Sequence, residues 1–237
     1  MKVLFQDENL IAIDKPAGFH VHPHEERRHR VPREQVCLYA VRDLVGKHVY
    51  PVHRLDAGTS GVLIFALSSD AARTMCELFN ERTVKKTYRA VVRGFVKETD
   101  SIALPLELDS TGTPVDALTE YRRLATKEFA VKIGNRFPTA RYSLVEVYPH
   151  TGRYHQIRRH FNRISHPLLG DAEHGDTRHN QFFRNELGID GLCLRATGVS
   201  FKHPWSGEEL LLKTSDSDFS NENDAAKWNK IHLLFPH

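Results

Sequence analysis

The chain has 237 residues, is 40% hydrophobic and 27% charged, and carries a formal net charge of +3. Such a length and balance describe an ordinary soluble globular protein, one large domain or two packed lobes, whose core needs no metal or disulfide staple. The longest apolar runs are strand-length, which argues against a transmembrane helix, and no membrane partner is expected. MKVLFQDENL has neither a long apolar core nor a small-residue cleavage site, so no signal peptide is expected. Cys37, Cys76 and Cys193 are far apart and without a CxxC pair, which predicts reduced thiols and a cytoplasmic location.

In chain order, VLFQ and LIAID flank the polar DEN and predict an opening β-hairpin that Pro16 and Gly18 end. His20 to Arg33 is polar, basic and proline-containing, a loop. EQVCLYAVRDLVG has helical apolar spacing closed by Gly46. Val62 to Leu67 is a buried strand. Ser69 is placed to cap a helix with Ala72, Met75, Cys76 and Phe79 on its apolar face. Tyr88–Val96, Ala117–Leu124 and Ala140–Tyr148 read as strands. RYHQIRRHFNRI reads as a basic helix starting just after Gly152. LCLRATGVSF and EELLLK read as paired strands across the turn HPWSG, and a short helix over Ala225 to Phe235 finishes the chain. Hairpins outnumber βαβ units, so the expected class is α+β with a largely antiparallel sheet and flanking helices.

Charge is unevenly spread. RTVKKTYRAVVRG (82–94) and HTGRYHQIRRHFNRISH (150–166) hold no acid, while acids collect in SDSDFSNEND (215–224). Two acid-free runs that both carry tyrosine suit a polyanion as well as they suit two solvated faces. His20, His22 and His24 alternate, and His150, His155 and His160 recur. Alternation on a polar loop does not supply the three or four converging ligands of a zinc site, so no metal is expected and phosphate or groove contacts fit better.

Asp56 follows Arg54 in HRLDAGTSG. Alone it is a turn residue or half of a surface ion pair. Apart from Asp70 it is the sole acid between Tyr50 and Asp70, and a lone carboxylate among cations favours its ionised form. That suits a nucleophile or an electrostatic partner; a glycosidase would need a second carboxyl group.

HRLDAGTSGVLIFA resembles the active-site motif of the RluA-type pseudouridine synthases, with Asp56 in the place of their catalytic aspartate. DENLIAIDKPAG is similar to that family's opening hairpin and lysine-proline turn. KKTYRAVVRG is similar to the strand bearing its active-site tyrosine, here Tyr88. HTGRYHQIRRH is similar to the segment whose arginine pairs with the catalytic carboxylate, here Arg158. HPLLGD, LCLRA and SFKHPWSG follow in the family's order.

The resemblance implies one pseudouridine synthase catalytic domain over 1–237, in two packed lobes, with 215–237 an acidic stretch and C-terminal helix and with no S4 domain. It implies isomerisation of a uridine within RNA and no cofactor; a monomer is the default expectation. DAEHGDTRHN and LATKEFAVKIGNRFPTARY most resemble the branch that modifies a tRNA uridine where the acceptor stem meets the T stem, uridine-65. Ribosomal RNA as the target, and a catalytically silent RNA-binding protein, are the alternatives. In this reading Arg54 fills the stack that the flipped base leaves, with His53 beside it on the substrate side. Tyr88 stacks on the base, Leu194 lines its pocket, and Lys85, Lys86, Arg153, Arg159 and Arg163 follow the RNA backbone. Arg195 and His20 depart from the family pattern and are placed at the rim of the site.

Overall fold

The computed structural model describes residues 1–23, 31–108, 110–134, 137–217 and 219–236; His24 lies outside them. The chain divides into two compact units, Met1–Lys85 with Ala196–Ala225 and Lys86–Arg195 with Ala226–His237.

In the first unit β1 (Lys2–Gln6) and β2 (Leu10–Lys15) form the expected antiparallel hairpin. Asp7 closes it, its carboxylate accepting from the backbone N–H groups of Asn9 and Leu10 at 2.8 and 2.7 Å. After a 3₁₀ turn (Arg33–Gln35), α1 (Cys37–Val45) ends at Gly46, whose φ of 66° provides the left-handed cap. The short β3 (Tyr50–Pro51) pairs with β4 (Ser60–Ala66), which pairs antiparallel with β2. Every residue of β2 and β4 is buried, which is why residues 10–13 and 62–66 read as continuous apolar runs.

α2 spans Ser69–Asn80. Its cap is Ser68, which accepts from Ala71 N–H at 3.1 Å, so the helix is phased one residue earlier than the sequence reading has it. Ala71 and Met75 are its buried residues, Ala72 and Phe79 pack partly against the core, and Cys76 is exposed.

The second unit adds β5 (Lys85–Arg93), β6 (Thr99–Ile102), a two-residue ladder of β7 (Leu106–Glu107) and β8 (Pro114–Val115), β9 (Thr119–Phe129) and β10 (Ala140–Pro149). The order is β5-β10-β9-β6, antiparallel at each step. α3 (Gln156–Arg163) begins four residues after Gly152. His155, at φ 48° and ψ 30°, breaks the helical path, and the Gln156 side chain fastens the preceding turn by accepting from Thr151 Oγ1 and Arg153 N–H. α4 (Thr177–Asn185), absent from the sequence reading, is capped by Asp176, which accepts from Arg178 and His179 N–H.

β11 (Leu194–Lys202) and β12 (Glu209–Lys213) are the expected antiparallel pair, and in the first unit the order is β1-β2-β4-β11. α5 (Glu222–Leu234) closes the chain. One core gathers Leu10, Val62, Ile64, Met75, Val199 and Phe201; the other gathers Ala90, Val92, Val145, Val147, Phe161 and Leu168. The class is α+β with a largely antiparallel mixed sheet and flanking helices, as expected. Among the described residues no helix is long and apolar enough to cross a membrane.

Candidate functional site

Asp56 sits on the turn between β3 and β4. Leu55, with 6% exposure, anchors that turn inward, while Arg54 is exposed and Asp56 half-buried. Thr59 N–H donates to the Asp56 carbonyl at 3.0 Å and closes the turn. The next carbonyl, that of Ala57, accepts from Gly18 N–H at 2.8 Å and from Lys15 Nζ at 3.0 Å. Lys15 has no solvent exposure; its ammonium also donates to the carbonyls of Pro16 and Phe19 at 2.9 and 2.7 Å. Behind this turn the Asp224 carboxylate, 1% exposed, accepts from Ala17 N–H at 2.9 Å. Neither Lys15 nor Asp224 was singled out from the sequence as a functional residue. The available signal for Lys15 is a cation at the end of a strand-length apolar run.

His53 accepts from the Ile64 N–H at 3.0 Å through Nε2 and stacks on Phe79 with ring centroids 5.0 Å apart. These contacts make it a strut between the turn, β4 and α2. Arg54 acts electrostatically on His22, whose pKa is lowered first by burial and then by that guanidinium.

In the second unit Tyr88 lies on β5 opposite Val147 of β10, half-buried against the core. Arg158 comes from the inner face of α3 and is 8% exposed. Asp171 grips it in a bidentate pair, Nε to Oδ2 at 2.7 Å and Nη2 to Oδ1 at 2.8 Å. Burial alone would raise the Asp171 carboxyl. Arg158 and the His174 and Glu173 N–H groups outweigh it and hold the pKa below the usual range. Asp171, within GDAEHG, was missed from the sequence because its partner lies 13 residues away on another element. Leu194, 3% exposed, belongs to the second unit's core. Arg195 is 2% exposed, a buried residue of β11, whereas His20 is half-buried and bridges to Val36.

The cations expected along RNA divide. Lys85 is exposed; Lys86 donates to the Thr151 carbonyl at 3.2 Å. Arg153, Arg159 and Arg163 reach the carbonyls of Asp116 (3.4 Å), Glu107 (3.0 Å) and Pro105, so all three also brace the segment that carries β7 and β8. His160 corrects the expectation of groove contacts. It is fully buried between Thr119 Oγ1 and the Leu104 carbonyl, and burial lowers its pKa. His155, 8% exposed, is likewise internal, whereas His150 is exposed and meets Glu120 at 2.8 Å.

Residues 9–163 match the family model described as RNA pseudouridylate synthase. The chain is 42% identical over 228 residues to the tRNA pseudouridine synthase C of Vibrio parahaemolyticus, covering 92% of this chain and 91% of that one. It is 40% identical over 227 residues to the protein of the same name from Haemophilus influenzae, covering 90% and 91%. Among solved structures, human RNA pseudouridylate synthase domain containing 1 superposes with a TM-score of 0.71 at 23% identity, covering 95% of this chain and 86% of that one. The last likeness speaks for the fold.

Proposed function

The chain belongs to the RNA pseudouridylate synthase family, and from that premise we propose that it converts a single tRNA uridine, uridine-65, to pseudouridine with Asp56 as the catalytic carboxylate. Membership makes it an isomerase acting on RNA. The N1–C1′ bond breaks, the base rotates, and a C5–C1′ bond forms. Nothing is oxidised or transferred to another molecule, so the reaction needs no cofactor.

The observation that carries the assignment of Asp56 is its fixed turn. Lys15 and Gly18 hold the carbonyl of the very next residue, while the side chain stays half-buried and the neighbouring Arg54 is exposed. A carboxylate on a rigid support that remains reachable is what attack on C1′, or assistance to the departing base, requires. Arg158, pre-oriented by Asp171, is the cation assigned to pair with Asp56 and orient it. A uridine in a stem must leave the stack first, which costs a few kcal/mol. Arg54 is assigned to the vacated gap with His53 setting its turn, Tyr88 to stacking on the extruded base, and Leu194 to the apolar wall beneath it. Lys85, Lys86, Arg153, Arg159 and Arg163 follow the backbone. The protein acts as a monomer in the cytoplasm in this reading.

The test is to map pseudouridine in all RNAs of cells with and without the protein, and to repeat it with Asp56→Asn. The Asn variant keeps size and hydrogen bonding but loses the charge and the nucleophile. The expected result is one tRNA position that disappears in both cases, with purified Asp56→Asn still binding RNA. Loss of a ribosomal RNA position instead would move the target. An Asn variant with a tenth or more of the wild-type rate would remove Asp56 from its role.

A further inference from the structure

Three ligand-type side chains of the second unit converge: His155, Glu173 and His174. His155 Nδ1 lies 3.1 Å from His174 Nε2 and 3.4 Å from Glu173 Oε1, and His174 Nε2 lies 3.5 Å from the same oxygen. Two of these three edges are longer than the ~2.7–3.2 Å of a good N–H···O bond. All three are close to the edges of a tetrahedron around zinc, about 3.3–3.5 Å for bonds of ~2.0–2.1 Å. We propose that His155, Glu173 and His174 form a binding site for a zinc-class divalent cation, with a fourth position open to water.

Each ligand is held before any ion arrives. The left-handed backbone of His155 at the start of α3 aims its ring, and Tyr154 stacks on it with centroids 3.7 Å apart and planes at 21°. Asp171 Oδ1 accepts from the backbone N–H groups of both Glu173 and His174 at 3.0 Å, fixing the other two. Asn162 donates to the His174 carbonyl at 2.6 Å. The second oxygen of Glu173 lies 3.4 Å from Arg158 Nη2, the kind of outer contact that orients a ligating carboxylate. The His155 side chain is 7% exposed and that of Glu173 53%, so the site has a buried floor and an open entry. Two imidazoles and one carboxylate suit zinc, nickel or copper(II) and not magnesium or calcium. Binding displaces the proton shared by the two imidazoles. The nearby Arg158 cation works against affinity, so the fit is to a modest, exchangeable site. Sequence spacing conceals it, because the ligands come from segments 18 residues apart.

The full chain, stripped with a chelator and dialysed, would be titrated with cobalt(II) as a visible probe. One equivalent with the absorption of a four-coordinate ion is expected, displaced by zinc and unaffected by excess magnesium. Glu173→Gln and His174→Ala should each weaken binding at least tenfold, while His150→Ala, at an exposed histidine elsewhere, should not. Thermal melts of each variant would confirm a retained fold. Absence of saturable binding, or binding that survives the Glu173→Gln/His174→Ala double variant, would overturn the site. The readout does not depend on RNA modification, so its failure is separable from failure of the proposed function.

Discussion

Lys15 is an ammonium group without solvent exposure, and what makes it tolerable there is a cage of three carbonyl oxygens, those of Pro16, Phe19 and Ala57. A buried cation in this position is costly unless its donors are used, and here they tie two turns together. The Ala57 carbonyl is one residue from Asp56, so the same contacts that satisfy Lys15 set the backbone of the proposed catalytic turn. Lys15→Met keeps the length and the apolar stem but leaves the carbonyls without their charged donor. The expected loss of stability is about 2–4 kcal/mol, read from the urea midpoint. Wild-type stability in Lys15→Met would mean that this cage contributes nothing to the fold.

At the scale of elements, the decisive contact is the close approach of β4 to β11. Gly61 has φ +115°, and a Cβ there would stand 2.0 Å from the Ala196 carbonyl oxygen. Backbone, not a flexible side chain, occupies the space, so Gly61→Ala must part the strands just beyond the Asp56 turn. A cost of about 3 kcal/mol or more is expected, visible as a lowered melting temperature; an unchanged melt would refute the close packing. Most elements were legible in the sequence because apolar period and cap residues agree, as in α1 with Gly46 and in the hairpin closed by Asp7. α4 was not, because Phe183 is its one buried residue and leaves no stripe to read. The start of α3 was misplaced because a left-handed histidine has no local sequence signature. The motif around Asp56 stood out by resemblance. The lysine-proline turn did so too, but the contacts of Lys15 with the Ala57 carbonyl and of Asp224 with the Ala17 N–H did not, because they are made to backbone atoms remote in sequence. The braces formed by Arg153, Arg159 and Arg163 are tertiary contacts that a basic run cannot reveal.

Across the whole molecule, acid sensitivity is concentrated in histidines that the fold has closed in. Burial lowers the pKa of His160, against the hydrogen bond to the Leu104 carbonyl and with help from Arg163 and Arg159. Burial lowers that of His179, against Asp176 and with help from Arg93. Both belong to the second unit. Between the folded value and the unfolded 6.5 the unfolded chain holds a proton that the folded one does not. Their contribution is therefore complete above about pH 6.5 and is lost as pH falls through the folded values, by up to ~1.4 kcal/mol per pH unit for each proton. Asp171 and Asp176 have lowered pKa values in the fold, burial being outweighed by arginine and backbone N–H contacts at Asp171 and chiefly by His179 at Asp176. Their contribution is present above 3.8 and declines only below it, as a second step. The two tryptophans allow the units to be read apart: Trp228 is 1% exposed in the second unit and Trp205 is 41% exposed in the first. In a Trp205→Phe background, urea unfolding followed by Trp228 fluorescence should show a midpoint that is level above about pH 7 and falls from about pH 6.5 downward. Adding His160→Gln should reduce that fall by the share of one proton, whatever it does to the midpoint itself. A midpoint level from pH 7 to 5, or a slope unchanged by His160→Gln, would show that His160 is not held neutral by the fold.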